Sequence, residues 1–207
     1  MIISIEGPDF VGKNTLIEEV IKHSSSSKLL KNKEFKVLQF PNYETEIGKF
    51  LRKKLLDKQW TYQDGVIFQL LNTAHRYEYY DQIKKAKTNS DFILFIIRYN
   101  LSGPVYAAID GLDASKVWNL YAWFDDLLPE ITFIINRDFN FDSLTKERQA
   151  DHYESEDKQV KVKRIYSMAE TLWGDRLGKV INIENMDLSD SVKTMFDHLQ
   201  YYIKNGK

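Results

Sequence analysis

The sequence predicts a three-layer α/β/α domain around a parallel sheet of roughly five strands, because strand-like and helix-like segments alternate along the chain. Three observations carry this reading. Short apolar runs rich in Ile, Val and Phe are each followed by a segment of helical periodicity. Some runs, such as "FILFII" at 92–97, are apolar throughout, as strands covered on both faces are. The first run leads at once into a glycine-bearing loop, "GPDFVGK" at 7–13, and then into a helix. Such alternation gives parallel sheets with right-handed crossovers.

The elements follow in order. "IISI" at 2–5 is a β-branched run bounded by Gly7 and Pro8, so it reads as a buried strand. Leu16, Ile17, Val20 and Ile21 form one helical face over 14–23. "SSSSK" at 24–28 is a connector, and "FKVLQF" at 35–40 is a second strand, ended by Pro41. Residues 44–58 read as a helix with Ile47, Phe50, Leu51 and Leu55 on one side. A single long helix is expected over 62–87, with Val66, Ile67, Leu70, Leu71 and Ala74 as its apolar rhythm. After the strand at 92–97, residues 102–126 read as helix in pieces, interrupted at Gly103–Pro104 and Gly111. "ITFII" at 131–135 and "KVINI" at 179–183 are the remaining strands; 142–172 is charged and then helical, and 188–204 is the last helix. Neither an internal repeat nor a second domain is visible. One domain over 1–207 is expected, with a charge-dense lid at about 138–160.

Composition narrows the class. Hydrophobic residues make up 43% and charged residues 29%, the balance of a globular domain. A net charge of −1 gives no bulk attraction to nucleic acid or anionic membrane. The absence of cysteine excludes disulfides, thiolate nucleophiles and thiolate zinc sites, and fits a reducing compartment. "MIISIEG" does not read as a signal peptide, and no apolar run approaches about 18 residues. The expected location is cytoplasmic.

"GPDFVGK" fits the phosphate-loop spacing G-x-x-x-x-G-K. Gly7 and Gly12 let backbone N–H groups approach phosphate oxygens, the following helix N-terminus adds positive charge, and Lys13 reaches the terminal phosphates. A chance glycine turn would explain neither Lys13 nor the flanking strand. The fold is therefore expected to be that of a P-loop NTPase, with Gly7, Gly12, Lys13, Asn14 and Thr15 at the donor phosphates. The next residue is usually Ser or Thr, whose hydroxyl ligates magnesium, but here it is Asn14. Thr15 does not replace it, since one residue along a helix turns the side chain by roughly 100°. Asn14, through its amide oxygen, is the candidate here for the metal.

The wider sequence resembles the thymidylate kinase family. "IEGPD" before "GK" matches that family's strand ending in Glu-Gly-x-Asp, through Glu6 and Asp9. "FPNYETEIGKFL" at 40–51, "LLNTAHRYE" at 70–78 and "IIRYNLSGPVYA" at 96–107 resemble further family segments in the same order. "HYE" at 152–154, ahead of a helix with Tyr166, resembles the end of its lid. The resemblance implies phosphoryl transfer from ATP to dTMP, with Mg2+, by a homodimer. It implies that Lys13 holds the transferred group and that Asp9 takes the sugar 3′-hydroxyl. Glu6 would lie near the metal or the acceptor phosphate, and Arg98 at that phosphate. Arg76 would reach the base edge, and Phe40, Phe68, Asn72, Tyr106 and Tyr153 would surround the acceptor. Arg148 would belong to the lid over the donor. The helices at 44–58 and 62–87 carry apolar surface suited to pairing subunits.

Outside the resemblance, Arg76 reads as a surface residue, Tyr106 and Tyr153 as packing residues, and His75 as structural or exposed. Arg98 stands apart, because a charge at the C-terminal end of a parallel strand sits where such sheets bind ligands.

Four positions depart from the family pattern: Asn14 for the hydroxyl, Ile97 for an acidic residue, Tyr43 for an arginine at the acceptor phosphate, and Asn72 for a phenylalanine that stacks on thymine. Phe68, one turn earlier, supplies a ring if the base shifts. The strand at 92–97 would pack as well with a carboxylate facing the cleft at position 97. Losing one charged contact of this kind costs a few kcal/mol of transition-state stabilisation. The readings are thus a thymidylate kinase, a kinase for another or modified pyrimidine deoxynucleotide, and a weak nucleotide-binding homologue. A GTPase is disfavoured, as the chain has no Asn-Lys-x-Asp signature.

Overall fold

The computed structural model describes residues 1–138 and 150–205. Five strands form one parallel sheet: β1 (Ile2–Glu6), β2 (Glu34–Gln39), β3 (Phe92–Ile97), β4 (Ile131–Asn136) and β5 (Lys179–Glu184), in the order β2-β3-β1-β4-β5. The helices are α1 (Lys13–Ser24), α2 (Glu46–Leu55), α3 (Tyr62–Tyr77), α4 (Tyr80–Thr88), α5 (Ser102–Ile109), α6 (Ala114–Leu120), α7 (Glu156–Ser167), α8 (Ala169–Trp173) and α9 (Leu188–Asn205). A 3-10 segment, Tyr121–Leu127, follows α6. No helix among the described residues is long and apolar enough to cross a membrane.

The central strands β1, β3 and β4 are buried at every position, which explains their unbroken apolar runs. The outer strand β2 is mostly exposed, so its pattern is mixed. Along β3 the side chains alternate between two cores. Ile93, Phe95 and Ile97 join the cluster with Leu16 and Val20 of α1 and Leu199 of α9. Phe92, Leu94 and Ile96 join Ile83 of α4 and Phe124. The parallel register sets Ile5 beside Ile97. The loop after β1 and the residue after β3 therefore emerge next to each other, at the C-terminal edge where open α/β sheets bind ligands.

Ile97 does not face a cleft. It is 2% exposed and belongs to the apolar cluster that holds Val11 and Leu16. A carboxylate there would be desolvated, so packing favours isoleucine after all.

The long helix expected over 62–87 is two helices, with the break at residues 78–79. Neither glycine nor proline makes this break. It coincides with Tyr79, whose ring packs edge-on to Phe40 at 5.4 Å and whose hydroxyl accepts from Asn42 at 2.7 Å. Tertiary packing overrides propensity there. A capping box of Thr61 and Asp64 starts α3. Gly103 and Pro104 do not interrupt α5 but lie in its first turn, where a missing N–H costs nothing.

The face that α3 buries is also reversed from expectation. Gly65, Phe68, Gln69, Asn72, His75 and Arg76 point inward. Val66, Ile67 and Leu70 are exposed, Leu70 by 49%. A polar inward face on a helix that packs against α2 and α5 marks the place where a site lies.

His75 is buried within that face, edge-on to Phe40 at 5.5 Å and 3.2 Å from Thr45 Oγ1. Burial, with the adjacent Arg76 charge, lowers its pKa to about 4. Unfolding restores a pKa of about 6.5, so the unfolded chain binds more protons between those values. Stability from this residue is present above pH 6.5 and is lost as pH falls towards 4. In melting curves across that range, the His75→Gln variant is expected to lose less stability than the parent. Parallel pH profiles would show that His75 is charged in the fold.

Candidate active site

The phosphate loop leaves β1 pressed against the neighbouring strand. Gly7 has φ 136°, and a Cβ there would lie 2.2 Å from the Ile135 carbonyl oxygen. Only glycine fits that approach. Gly12, at φ 79°, turns the chain into α1, and no side chain among the described residues caps the helix. Its first N–H groups therefore point towards a prospective anion. Lys13 is buried and folds back over its own loop, donating to Gly7 O at 3.2 Å and also to Pro8 O. Burial, then the charge of Arg98, lowers its pKa to about 7, while Asp9 and Glu6 oppose that shift.

Arg98 follows β3 directly, at φ 63°. Its Nη2 donates to Asp9 Oδ1 at 2.5 Å. Asp9 Oδ2 accepts from Tyr106 at 3.0 Å and from Gln159 Nε2 at 2.9 Å. Gln159 Oε1 in turn accepts the Asp9 backbone N–H at 2.9 Å. Burial pushes the Asp9 carboxyl up, but Arg98 and Lys13 outweigh it and hold the pKa below the usual carboxylate range. The same pairing, against desolvation, holds the Arg98 pKa well above its ordinary value. The phosphate loop and the end of β3 are thus joined by one ion pair.

Beyond that pair opens a solvent-connected pocket. The structure brings Asp9, Phe40, Phe68, Asn72, Arg76, Arg98, Tyr106 and Tyr153 together around it. Arg76 is no surface residue: it is 3% exposed, donates to Asn72 O and Arg98 O, and lies 5.3 Å from the centroid of the Phe40 ring. Asn72 donates to Phe68 O at 3.0 Å. Tyr43 lines the pocket too, with the Arg52 guanidinium 5.4 Å from its ring centroid. Arg52 also bonds Asp151 at 3.4 Å. Burial, then Glu154 and Asp9, raises the Asp151 pKa to about 6.

Glu6 is placed differently from the expectation at metal or acceptor phosphate. It is fully buried behind the loop, accepting from Ser4 at 2.9 Å, Ser102 at 2.5 Å and Tyr166 at 3.3 Å. Its role in the fold is to tie β1 to α5 and α7. Asn14 and Thr15 are exposed on the first turn of α1. Asn14 Nδ2 reaches Gln39 Oε1 at 3.4 Å, which leaves Oδ1 as the atom for a cation. Among the described residues no group of three or more His, Cys, Asp or Glu could cage a metal. That donor set fits an ion held mainly by phosphate oxygens and water, as Mg2+ is. Arg148 lies outside the described residues, as does the 139–149 stretch of the expected lid. The described end of the lid seats Tyr153, whose hydroxyl donates to Asp110 at 2.6 Å, and His152, which stacks on Trp60 at 3.9 Å.

Sequence reasoning missed Gln159 and Gln69. Gln159 is fully buried in α7 within a charged run, where nothing local marks it. Gln69 could have been found from its spacing to Asn72 and Arg76, which places all three on one face of α3.

The sequence profile of thymidylate kinase matches residues 5–186. Among similar proteins, a thymidylate kinase of Dictyostelium discoideum is 30% identical over 200 residues, 95% of this chain and 85% of the relative. One from Plasmodium falciparum is 27% identical over 164 residues, 79% of this chain and 74% of the relative. Among solved structures, a thymidylate kinase from Candida albicans superposes with a TM-score of 0.70 at 21% identity, covering 97% of this chain and 91% of that one. Another, from Ehrlichia chaffeensis, gives 0.68 at 22% identity, covering 97% and 98%. These last two likenesses concern the fold.

The lowered Lys13 pKa makes a prediction. At pH 8 the lysine is mostly neutral in the ligand-free protein, and an adjacent polyphosphate favours its charged form. Binding of a nucleoside triphosphate near pH 8 is expected to take up protons. Calorimetry in two buffers of different ionisation enthalpy reads this directly. Equal heats in both buffers would show that Lys13 is already charged.

Proposed function

The chain belongs to the thymidylate kinase family, and we propose that it transfers the terminal phosphoryl group of ATP to dTMP, giving ADP and dTDP. The Asp9–Arg98 ion pair is the observation that carries this reading. It puts a permanent cation of the pocket next to the lysine of the phosphate loop. Phosphoryl transfer needs little covalent help and depends on alignment and charge neutralisation.

In the proposed reaction the donor phosphates lie over the loop from Gly7 to Thr15. Lys13 leaves the carbonyls of Gly7 and Pro8 to pair with the terminal phosphates. Arg98 holds the acceptor phosphate, and Asp9 accepts the sugar 3′-hydroxyl while keeping Arg98 in place. Arg76 faces the base, and Tyr106, Tyr153 and Phe68 enclose it. Asn14 Oδ1 is the proposed protein ligand of Mg2+, which when bound neutralises charge on the donor phosphates. On the resemblance alone, Arg148 reaches over the donor.

The outward face of α3 supports a homodimer. Leu70, Tyr77 and Leu120 line an apolar groove with Trp123, which is 70% exposed. Patches of this kind mark interfaces. A second copy is the proposed occupant, because a two-fold axis would pair the exposed apolar residues of α3 and of the neighbouring 3-10 segment with the same patch on the other copy.

A coupled assay of ADP release with ATP and dTMP is expected to show turnover. The Lys13→Ala variant is expected to lose about 100-fold or more in kcat. Unchanged activity would remove Lys13 from the reacting phosphates, and absence of turnover in the parent despite nucleotide binding would leave a binding protein. By light scattering the parent is expected at twice the chain mass and Leu70→Glu at the chain mass. A monomeric parent would refute the pairing.

A further inference from the structure

The pocket lining and the residues behind it carry buried polar atoms that have no hydrogen-bond partner among the described residues. Gln69 is 2% exposed and lines the pocket, yet among the described residues neither its Oε1 nor its Nε2 has a hydrogen-bond partner. Beside it, the Tyr121 hydroxyl is also buried without a described partner. The two meet at Gly103, where an added Cβ would lie 2.0 Å from Tyr121 Oη and 3.2 Å from Gln69 Oε1. Arg76 Nε is a third such atom, on a guanidinium 5.3 Å from the Tyr121 ring centroid. A buried carboxamide without partners costs stability, because its desolvation is not offset by hydrogen bonds. Leucine would fill the same volume without that cost. Glutamine is therefore explained by a ligand that supplies both a donor and an acceptor side by side.

We infer that Gln69 reads the imide edge of the acceptor's pyrimidine base. This rests on the acceptor reading of the pocket given above. The ring N3–H would donate to Oε1, and the adjacent ring carbonyl would accept from Nε2. A carboxamide matches this edge bidentately, with donor and acceptor held in one plane. Turned over, it would equally suit cytosine, so Gln69 alone does not choose between the two. Arg76 Nε is a donor only and favours a carbonyl at position 4 over an amine. The pair therefore selects thymine and uracil above cytosine. Gln69, Asn72 and Arg76 follow each other along one face of α3, so the selectivity belongs to a single helix.

The test is Gln69→Leu, assayed with ATP against dTMP, dUMP and the dTMP analogue methylated at N3. Since the leucine removes an unpartnered buried amide, the melting temperature is expected to hold or rise. The KM for dTMP and dUMP is expected to rise about 10-fold or more, in similar proportion, with kcat within a few-fold. The parent is expected to discriminate against the N3-methyl analogue, and the variant to lose most of that discrimination. If the variant melts lower and keeps the parent's KM, Gln69 is a structural residue and the inference falls. It falls too if discrimination at N3 is unchanged. A parent that neither binds nor phosphorylates dTMP or dUMP would overturn the acceptor reading, and this inference with it.

Discussion

The ion pair between Asp9 and Arg98 is the constraint on which the site depends. It joins the loop after β1 to the residue after β3, and both partners lie in unusual surroundings. Arg98 has a left-handed backbone for which glycine or asparagine would be the easier choice, and the pair to Asp9 helps hold it there. Tyr106 from α5 and Gln159 from α7 complete the Asp9 contacts, so four elements converge on one carboxylate. Removing the aspartate would leave the Arg98 guanidinium facing Lys13 with its direct carboxylate partner gone, which is why breaking such pairs costs more than never having them.

Charge balance in this region is close. Lys13 and Arg98 repel each other, and that repulsion contributes to the low pKa of the lysine. Asp9 and Glu6 offset it, Glu6 from a position held by three hydroxyls. A lysine folded onto backbone carbonyls is a modest alternative to pairing with phosphate, so ligand charge readily draws it out.

The fold was largely legible because buried parallel strands write themselves as continuous apolar runs, and because the phosphate loop has a fixed spacing. Arg98 was legible from its place at the end of a strand, but the other residues around the pocket were legible only through family resemblance; taken singly, Arg76, Tyr106 and Tyr153 look like surface or packing residues. What could not be read depends on which way a helix faces. Val66, Ile67 and Leu70 have the spacing of a core stripe, yet they lie outside. Ile97 shows the reverse error, since a strand-end residue that looks free to face a cleft is sealed by Val11 and Leu16. The break before Tyr80 follows from Tyr79 meeting Phe40, a contact between residues distant in sequence that no local pattern records. Gln159 is buried among charges for the same reason: its partner lies 150 residues away.

The two faces of α3 bear on how such a protein diversifies. Positions 69, 72 and 76 look into the pocket, whereas 66, 70 and 77 look out. Asn72 and Leu70 stand about 160° apart around the helix, and side chains on opposite sides with no shared partner act almost independently. On the proposed function, substitutions at Asn72 or Arg76 change which base is preferred while Leu70 and Tyr77 stay constant, and the outer face can drift without retuning the base. One helix therefore carries two separately heritable traits, and a lineage can alter either without first repairing the other.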